Sequence, residues 1–163
     1  NINWQHNPGY SQRSLGSGVL SDDFYFCTFG TGGGVKELAA LDLKSGTLAW
    51  QIAHGDTPDN IKNNPALKGV TIPRTGRQGR IGVLTTKTLV IAGEGGMVTT
   101  PKGQGAILRA YDKATGADAG AVYMPAPQTG SPMTYLLNGQ QYITVSVSAP
   151  GFPGELIAYR LGK

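Results

Sequence analysis

Residues 38–52 read LAALDLKSGTLAWQI, and residues 108–122 read LRAYDKATGADAGAV. An offset of 70 positions lays Leu38, Ala40, Asp42, Ser45 and Gly46 on Leu108, Ala110, Asp112, Thr115 and Gly116. A phrase repeated at fixed phase marks a modular fold. The apolar residues before each Asp predict a strand. The Asp-x-x-Ser/Thr-Gly segment predicts a turn, because Asp bonds the backbone ahead of it and Gly takes a positive φ at little cost. A second strand follows, with Trp50 on it in the first copy, so each phrase is a hairpin. A truncated third copy runs from Glu155 to Arg160. It puts Ala158 in the place of Ala40 and Ala110, and Arg160 in the place of the Asp.

The same pattern extends outward from these phrases. Apolar runs of strand length fall near 18–29, 36–43, 47–54, 81–92, 106–112, 119–124, 131–137, 141–148 and 155–161. Ser21-Asp22-Asp23 and Thr86-Lys87-Thr88 read as turns inside two of them. Asn138-Gly139, between Thr134-Tyr135-Leu136-Leu137 and Tyr142-Ile143-Thr144-Val145, is a strong hairpin signal. No convincing helix is present, since the alternation has period two nearly throughout. Residues 55–80 form a long loop, and Gly93 to Gly105 a glycine-rich one; long loops without periodicity are usually functional or mobile. Together these features predict an all-β chain, a partial β-propeller of about three four-stranded antiparallel blades. The blade units are approximately 16–56, 79–124 and 129–161 within a single segment 1–163. A β-sandwich would explain the strands but not the repeated phrase.

Composition fits short strands and tight turns. The 163 residues include 25 Gly and 10 Pro, and 15% are charged, against about 25% in an average globular protein. The net charge of +4 is scattered, which argues against a nucleic-acid surface. Arg74, Arg77 and Arg80 share one loop, either as solvated cations or as an anion or cofactor contact. The single cysteine, Cys27, lies in an apolar run and reads as a buried thiol; no intrachain disulfide can form. No stretch reaches the roughly 18 apolar residues of a membrane span. The chain has neither an initiator Met nor a signal peptide, so it reads as a mature or partial piece.

Several motifs carry less. Gly30-Thr31-Gly32-Gly33-Gly34 precedes a strand rather than a helix, so it lacks the helix N-terminus of a phosphate loop. His6 and His54 have no metal-ligand spacing, and His54 reads as a strand-end residue. Asp56 and Asp59 with Asn60, Asn63 and Asn64 fit no calcium loop and read as a polar loop. Trp4 is a candidate anchor. Trp50 reads as structural glue, and position 120 in the second copy carries Gly instead.

Three features carry a family resemblance. They are the phrase Ala40-x-Asp42-x-x-Ser45-Gly46-x-x-x-Trp50, the run Gly130-Ser131-Pro132-Met133-Thr134-Tyr135 followed by Asn138-Gly139-Gln140-Gln141-Tyr142-Ile143, and their order around an apolar arm and glycine-rich bend at 81–96. Over roughly residues 35–161 the chain resembles the C-terminal part of pyrroloquinoline-quinone (PQQ)-dependent dehydrogenases. These are quinoproteins related to membrane glucose dehydrogenase and methanol dehydrogenase. The first phrase resembles the family's tryptophan-docking motif, in which a Trp packs between neighbouring blades. The resemblance implies a closed propeller of about eight blades, much longer than this chain. It also implies PQQ held on the central axis beside a calcium ion that acts as a Lewis acid. An Asp serves there as the base for oxidation of an alcohol or sugar.

The acidic and metal-binding residues of that chemistry belong to earlier blades and have no counterpart here. No catalytic or metal residue is therefore assigned, PQQ and calcium can be absent from this chain alone, and independent enzyme activity is left open. Four residues are candidates for lining the cofactor. Gly79 and Arg80 stand where the family presents cofactor-lining residues, and the fork of Arg80 suits a quinone carboxylate. Gly151 and Phe152 stand where methanol-type enzymes carry a Gly-Trp pair. The alternatives are a solvated cation at Arg80 and a turn residue covering a blade edge at Phe152.

The leading expectation is the C-terminal blades of a PQQ-dependent dehydrogenase, inactive alone. A non-enzymatic quinoprotein-like module for binding or assembly is the alternative. Open blade edges invite pairing with a further copy of the chain or with the remaining propeller blades. Periplasmic or secreted location follows from the resemblance only.

Overall fold

The structure is a computed structural model that describes residues 14–30, 35–79 and 81–160. Trp4, His6, the glycines at 32–34 and Arg80 lie outside the described residues.

The described chain forms three antiparallel sheets in sequence order. The first holds β1 (Ser14–Ser21), β2 (Phe24–Gly30), β3 (Val35–Asp42) and β4 (Thr47–Ala53), each paired with the next. The second is built from β5 (Val83–Thr85), β6 (Leu89–Gly93), β7 (Val98–Thr100), β8 (Gly103–Asp112) and β9 (Asp118–Met124). Its order is β5-β6-β8, with β9 on the later part of β8 and β7 on its first residues. The third holds β10 (Met133–Leu137), β11 (Gln140–Ala149) and β12 (Phe152–Arg160) in that order. The expectation of four strands per blade is met in the first sheet only. The second gains β7, because part of the Gly93–Gly105 segment pairs instead of looping. The third has three strands.

The repeated phrase is one hairpin built twice. Ala40 faces Trp50 and Ala110 faces Gly120, and a bulge follows each pair. In both turns the Asp carboxylate accepts from two backbone amides: Lys44 and Ser45 on Asp42, Ala114 and Thr115 on Asp112. These bonds hold both carboxyls below the usual carboxylate range. Gly46 and Gly116 close the turns at φ 69° and 74°, where a Cβ would be strained.

The middle sheet is covered on both faces. Phe26, Leu38 and Ala40 of the first sheet cluster with Val83, Val90 and Tyr111 of the second. On its other face Ile91, Ala106, Leu108 and Met124 pack with Ile143, Val145 and Val147 of the third. Alternation sends Val90 one way and Ile91 the other, so β6 reads as an unbroken apolar run. Cys27 is fully buried, and burial pushes its thiol up to about 11, as expected of an inert thiol.

Two local expectations need correction. The 55–80 loop contains one helical turn, α1 (Asp59–Lys62), and a 3₁₀ turn at Pro65–Leu67. Phe152 is the first residue of β12, because the turn before it narrows to Pro150-Gly151.

Candidate functional site

Because neighbouring strands run antiparallel, their connections sort to two ends of the sheets. The turns β1–β2, β3–β4, β5–β6, β8–β9 and β10–β11 share one end. Hydrogen bonds from Leu43 N–H to the Asp23 carbonyl (2.9 Å) and from Lys113 N–H to the Thr88 carbonyl (2.8 Å) tie neighbouring turns there. The connections 54–82, 94–102, 125–132 and 150–151 share the opposite end, called here the loop end. The Arg77 N–H donates to the His54 carbonyl (2.8 Å) and the Gly93 N–H to Gln128 Oε1 (2.7 Å) at that end. Gly79, Gly151 and Phe152 therefore fall at one end of the molecule, and Arg80 is next in chain to Gly79.

These candidates have different surroundings. A Cβ on Gly79 would lie 2.6 Å from Gly95 Cα, so two backbones pass in contact. Gly151 takes φ 79° with open space around it. Phe152 is half-buried against the apolar cluster of the second and third sheets.

A polar network that starts at this end, at Glu94, and reaches along the second sheet to Asp118 was not anticipated. Glu94 is only 1% exposed. Its Oε1 accepts from Arg109 Nε (2.7 Å) and its Oε2 from the Asp56 N–H (3.1 Å). Arg74 grips Asp118 with two nitrogens, at 3.0 and 2.6 Å, and this pairing lowers the Asp118 carboxyl below its usual range. Arg74 is thus a loop cation that stays exposed and pairs with a carboxylate of the second sheet. Asp56 also belongs to the network, 3.5 Å from Arg109 and 3.7 Å from Arg74. The Arg77 Nε is buried without a hydrogen-bond partner.

Beneath this network lies His54, fully buried at the end of β4. Its Nδ1 is 2.9 Å from the Tyr111 hydroxyl and its Nε2 is 2.9 Å from the Gly93 carbonyl. A carbonyl only accepts, so Nε2 carries the proton and Nδ1 accepts from Tyr111. Burial pushes the His54 pKa down and the Tyr111 hydroxyl up to about 12. The spacing of His54 in sequence gives no sign of this role, because its partners lie 39 and 57 positions away.

Gln128 is the other residue the sequence did not mark. It is 4% exposed. Beyond accepting from Gly93, its Nε2 donates to the Gly82 carbonyl (2.8 Å) and the Gly130 carbonyl (2.6 Å). One side chain thereby joins the second sheet to the approach of the third.

At the turn end, Trp50 performs the docking its phrase implied. Its Nε1 donates to the Lys113 carbonyl (3.1 Å), its ring lies 5.9 Å from Phe26, and a Cβ on Gly116 would stand 2.9 Å from it. The first sheet is thus tied to the next sheet's turn. Lys113 answers by pairing with Asp22 and Ser21. Among the described residues, no group of three or more His, Cys, Asp or Glu is placed to hold a metal ion, and no helix is long and apolar enough to cross a membrane.

The chain has known relatives. A protein of Xanthomonas campestris pv. juglandis named "Probable quinate dehydrogenase (quinone)" is 31% identical over 134 residues. A quinate/shikimate dehydrogenase (quinone) of Acinetobacter baylyi is 29% identical over 132 residues, and a quinoprotein glucose dehydrogenase of Gluconobacter oxydans 30% identical over 135. Each match takes in 76 or 77% of this chain but 15% of the relative. The family model described as "PQQ: Glucose/ethanol/alcohol dehydrogenase, beta-propeller domain" matches residues 30–143. With its successive antiparallel sheets and docked Trp50, the chain belongs to this PQQ β-propeller family of quinoprotein dehydrogenases.

Proposed function

We propose that the chain supplies C-terminal blades to a PQQ-dependent dehydrogenase that oxidises an alcohol or a sugar, and that it does not turn over by itself. The observation that carries this reading is the convergence of its glycine-lined connections and buried charge at one end of the sheets, within a chain of this family. The names of its relatives, quinate, shikimate and glucose dehydrogenases, point to polyhydroxylated substrates. A periplasmic setting is proposed on the same relationship.

The loop end fits a planar poly-acid. Gly151 offers open backbone, Phe152 a half-buried aromatic ring, and Arg77 Nε a buried donor without a partner. Gly79, Arg80, Gly151 and Phe152 would line the quinone, with Arg80 toward a carboxylate. PQQ would supply the electron-accepting chemistry. This chain's part is to bind and orient it and to exclude water from one side. Calcium and the catalytic base are assigned to the remaining blades.

Titration with PQQ and calcium, followed by quinone absorbance and dye-linked oxidation of glucose and quinate, tests the reading. Uptake of PQQ by the chain or by its complex with the remaining blades, with turnover in the complex only, is the expected result. Turnover by the chain alone would overturn it.

One observation favours a second reading, a non-enzymatic assembly module. Met133, Tyr135 and Leu156 share one face of the third sheet and are exposed. Size-exclusion mass in the absence of quinone separates the two: a stable oligomer that takes up no PQQ would favour the module.

A further inference from the structure

A buried chain of hydrogen bonds runs at the loop end from the residues just past β4, through the second sheet, to the approach of the third. The Gly55 N–H meets the Tyr111 hydroxyl (3.4 Å), which donates to His54 Nδ1; His54 Nε2 donates to the Gly93 carbonyl. The Gly93 N–H then donates to Gln128, which donates to Gly82 and Gly130. One end of this chain is Gly82, in the same connection as Gly79, which the proposed function places against the quinone.

Gly79 and Gly82 are held by three contacts. Gly79 lies on Gly95, and a Cβ on Gly82 would overlap Ser131, so neither backbone has room to drift toward its neighbour. The third hold is the Gly82 carbonyl on Gln128. Gln128 accepts once at Oε1 and uses both Nε2 hydrogens, so both donors of its carboxamide are committed. A Cβ on Gly93 would stand 2.7 Å from Gln128 Cβ and Oε1, which leaves room there for glycine alone.

The geometry points to Gln128 as a positioning residue that fixes the backbone at Gly82, and with it the connection from Gly79 that the cofactor meets. It touches no reacting atom and acts through Gly82. The inference rests on reading the loop end as the quinone end. A preorganised wall costs less to order when ligand arrives, which is where affinity is gained.

The test is Gln128→Glu, nearly isosteric but without both N–H donors, so that two carbonyls would face a carboxylate. Gln128→Asn, which keeps the donors on a shorter stem, is the milder second variant should the first fail to fold. Amide hydrogen exchange of the chain is expected to rise about tenfold in peptides covering 79–83 and 129–131, and to stay unchanged in β3 and β4. PQQ affinity, read from quinone absorbance in the presence of calcium, is expected to fall about tenfold. Unchanged exchange at 79–83 in both variants, or exchange raised evenly across the molecule, would overturn the inference. So would undiminished PQQ affinity in a variant whose segment has loosened. If the wild-type chain and its complex with the remaining blades take up no PQQ, the quinone-end reading fails, and the exchange result still decides whether Gln128 holds the segment.

Discussion

The first and second sheets are joined differently from the second and third, although the same hairpin phrase stands at each junction. At the first junction Trp50 reaches the next turn and bonds the Lys113 carbonyl. At the second, Gly120 occupies the corresponding register position with φ 138° and nothing within 4 Å of where a Cβ would be. A tryptophan does not readily take that backbone. The second junction relies instead on Gln128 and on the Tyr159 hydroxyl, which donates to the Tyr123 carbonyl (2.7 Å). It also buries the larger apolar cluster. Matching hairpins thus do not imply matching interfaces: the turn is local, while its partner is set by the neighbouring sheet.

The same contrast appears within the turns. Gly116 lies under the Trp50 ring, while Gly46 faces open space. Lys113 crosses to Asp22 of the preceding sheet, whereas Lys44 pairs at 2.6 Å with Asp23 of its own.

These differences can be broken in order of expected effect. Arg109→Leu removes the cation from the 1%-exposed Glu94 at the first junction; stranding a buried charge costs about 3–5 kcal/mol. Chemical denaturation measures this, and a loss below about 1 kcal/mol would show that Glu94 is not held by Arg109. Trp50→Ala is expected to cost about 3 kcal/mol, with exchange rising where the first sheet meets the second and not where the second meets the third. Unchanged thermal stability would refute the docking role.

Smaller effects follow. Gly116→Ala adds both a positive-φ strain and a contact with the Trp50 ring, so about 2 kcal/mol is expected; Gly46→Ala, with strain alone, should cost about 1 kcal/mol. Equal losses would erase the distinction between the two turns. His54 sharpens the comparison through pH. Its folded pKa lies below its ordinary 6.5, so the unfolded chain binds the proton first. Stability from this group is complete above the unfolded value and falls as pH drops below it. The wild-type thermal midpoint should decline on acidification from pH about 7.5 to about 5.5, and His54→Gln should flatten that decline.

Much of the fold was legible because it is written in local chemistry. The Asp-x-x-Ser/Thr-Gly turns, the Asn138-Gly139 hairpin and the period-two alternation need only neighbouring residues. Trp50 was legible as glue because a large aromatic just past such a turn has to be buried. Of the candidate site, the positions of Gly79, Gly151 and Phe152 at one end follow from counting strands. The fifth strand β7 was missed, since Val98-Thr99-Thr100 is short and set among glycines. The partner of Arg74 was not legible, because Asp118 is 44 positions away.

The sequence by itself determined the hairpin units, their 70-residue repeat and the family, since each rests on short-range pattern. The tertiary structure alone decided which side chains join the sheets. Glu94, His54 and Gln128 carry no local signal. A polar side chain becomes a staple only when folding buries it beside backbone groups that have lost water and must be paired. Sheet stacking, and not any motif, brings those groups within reach.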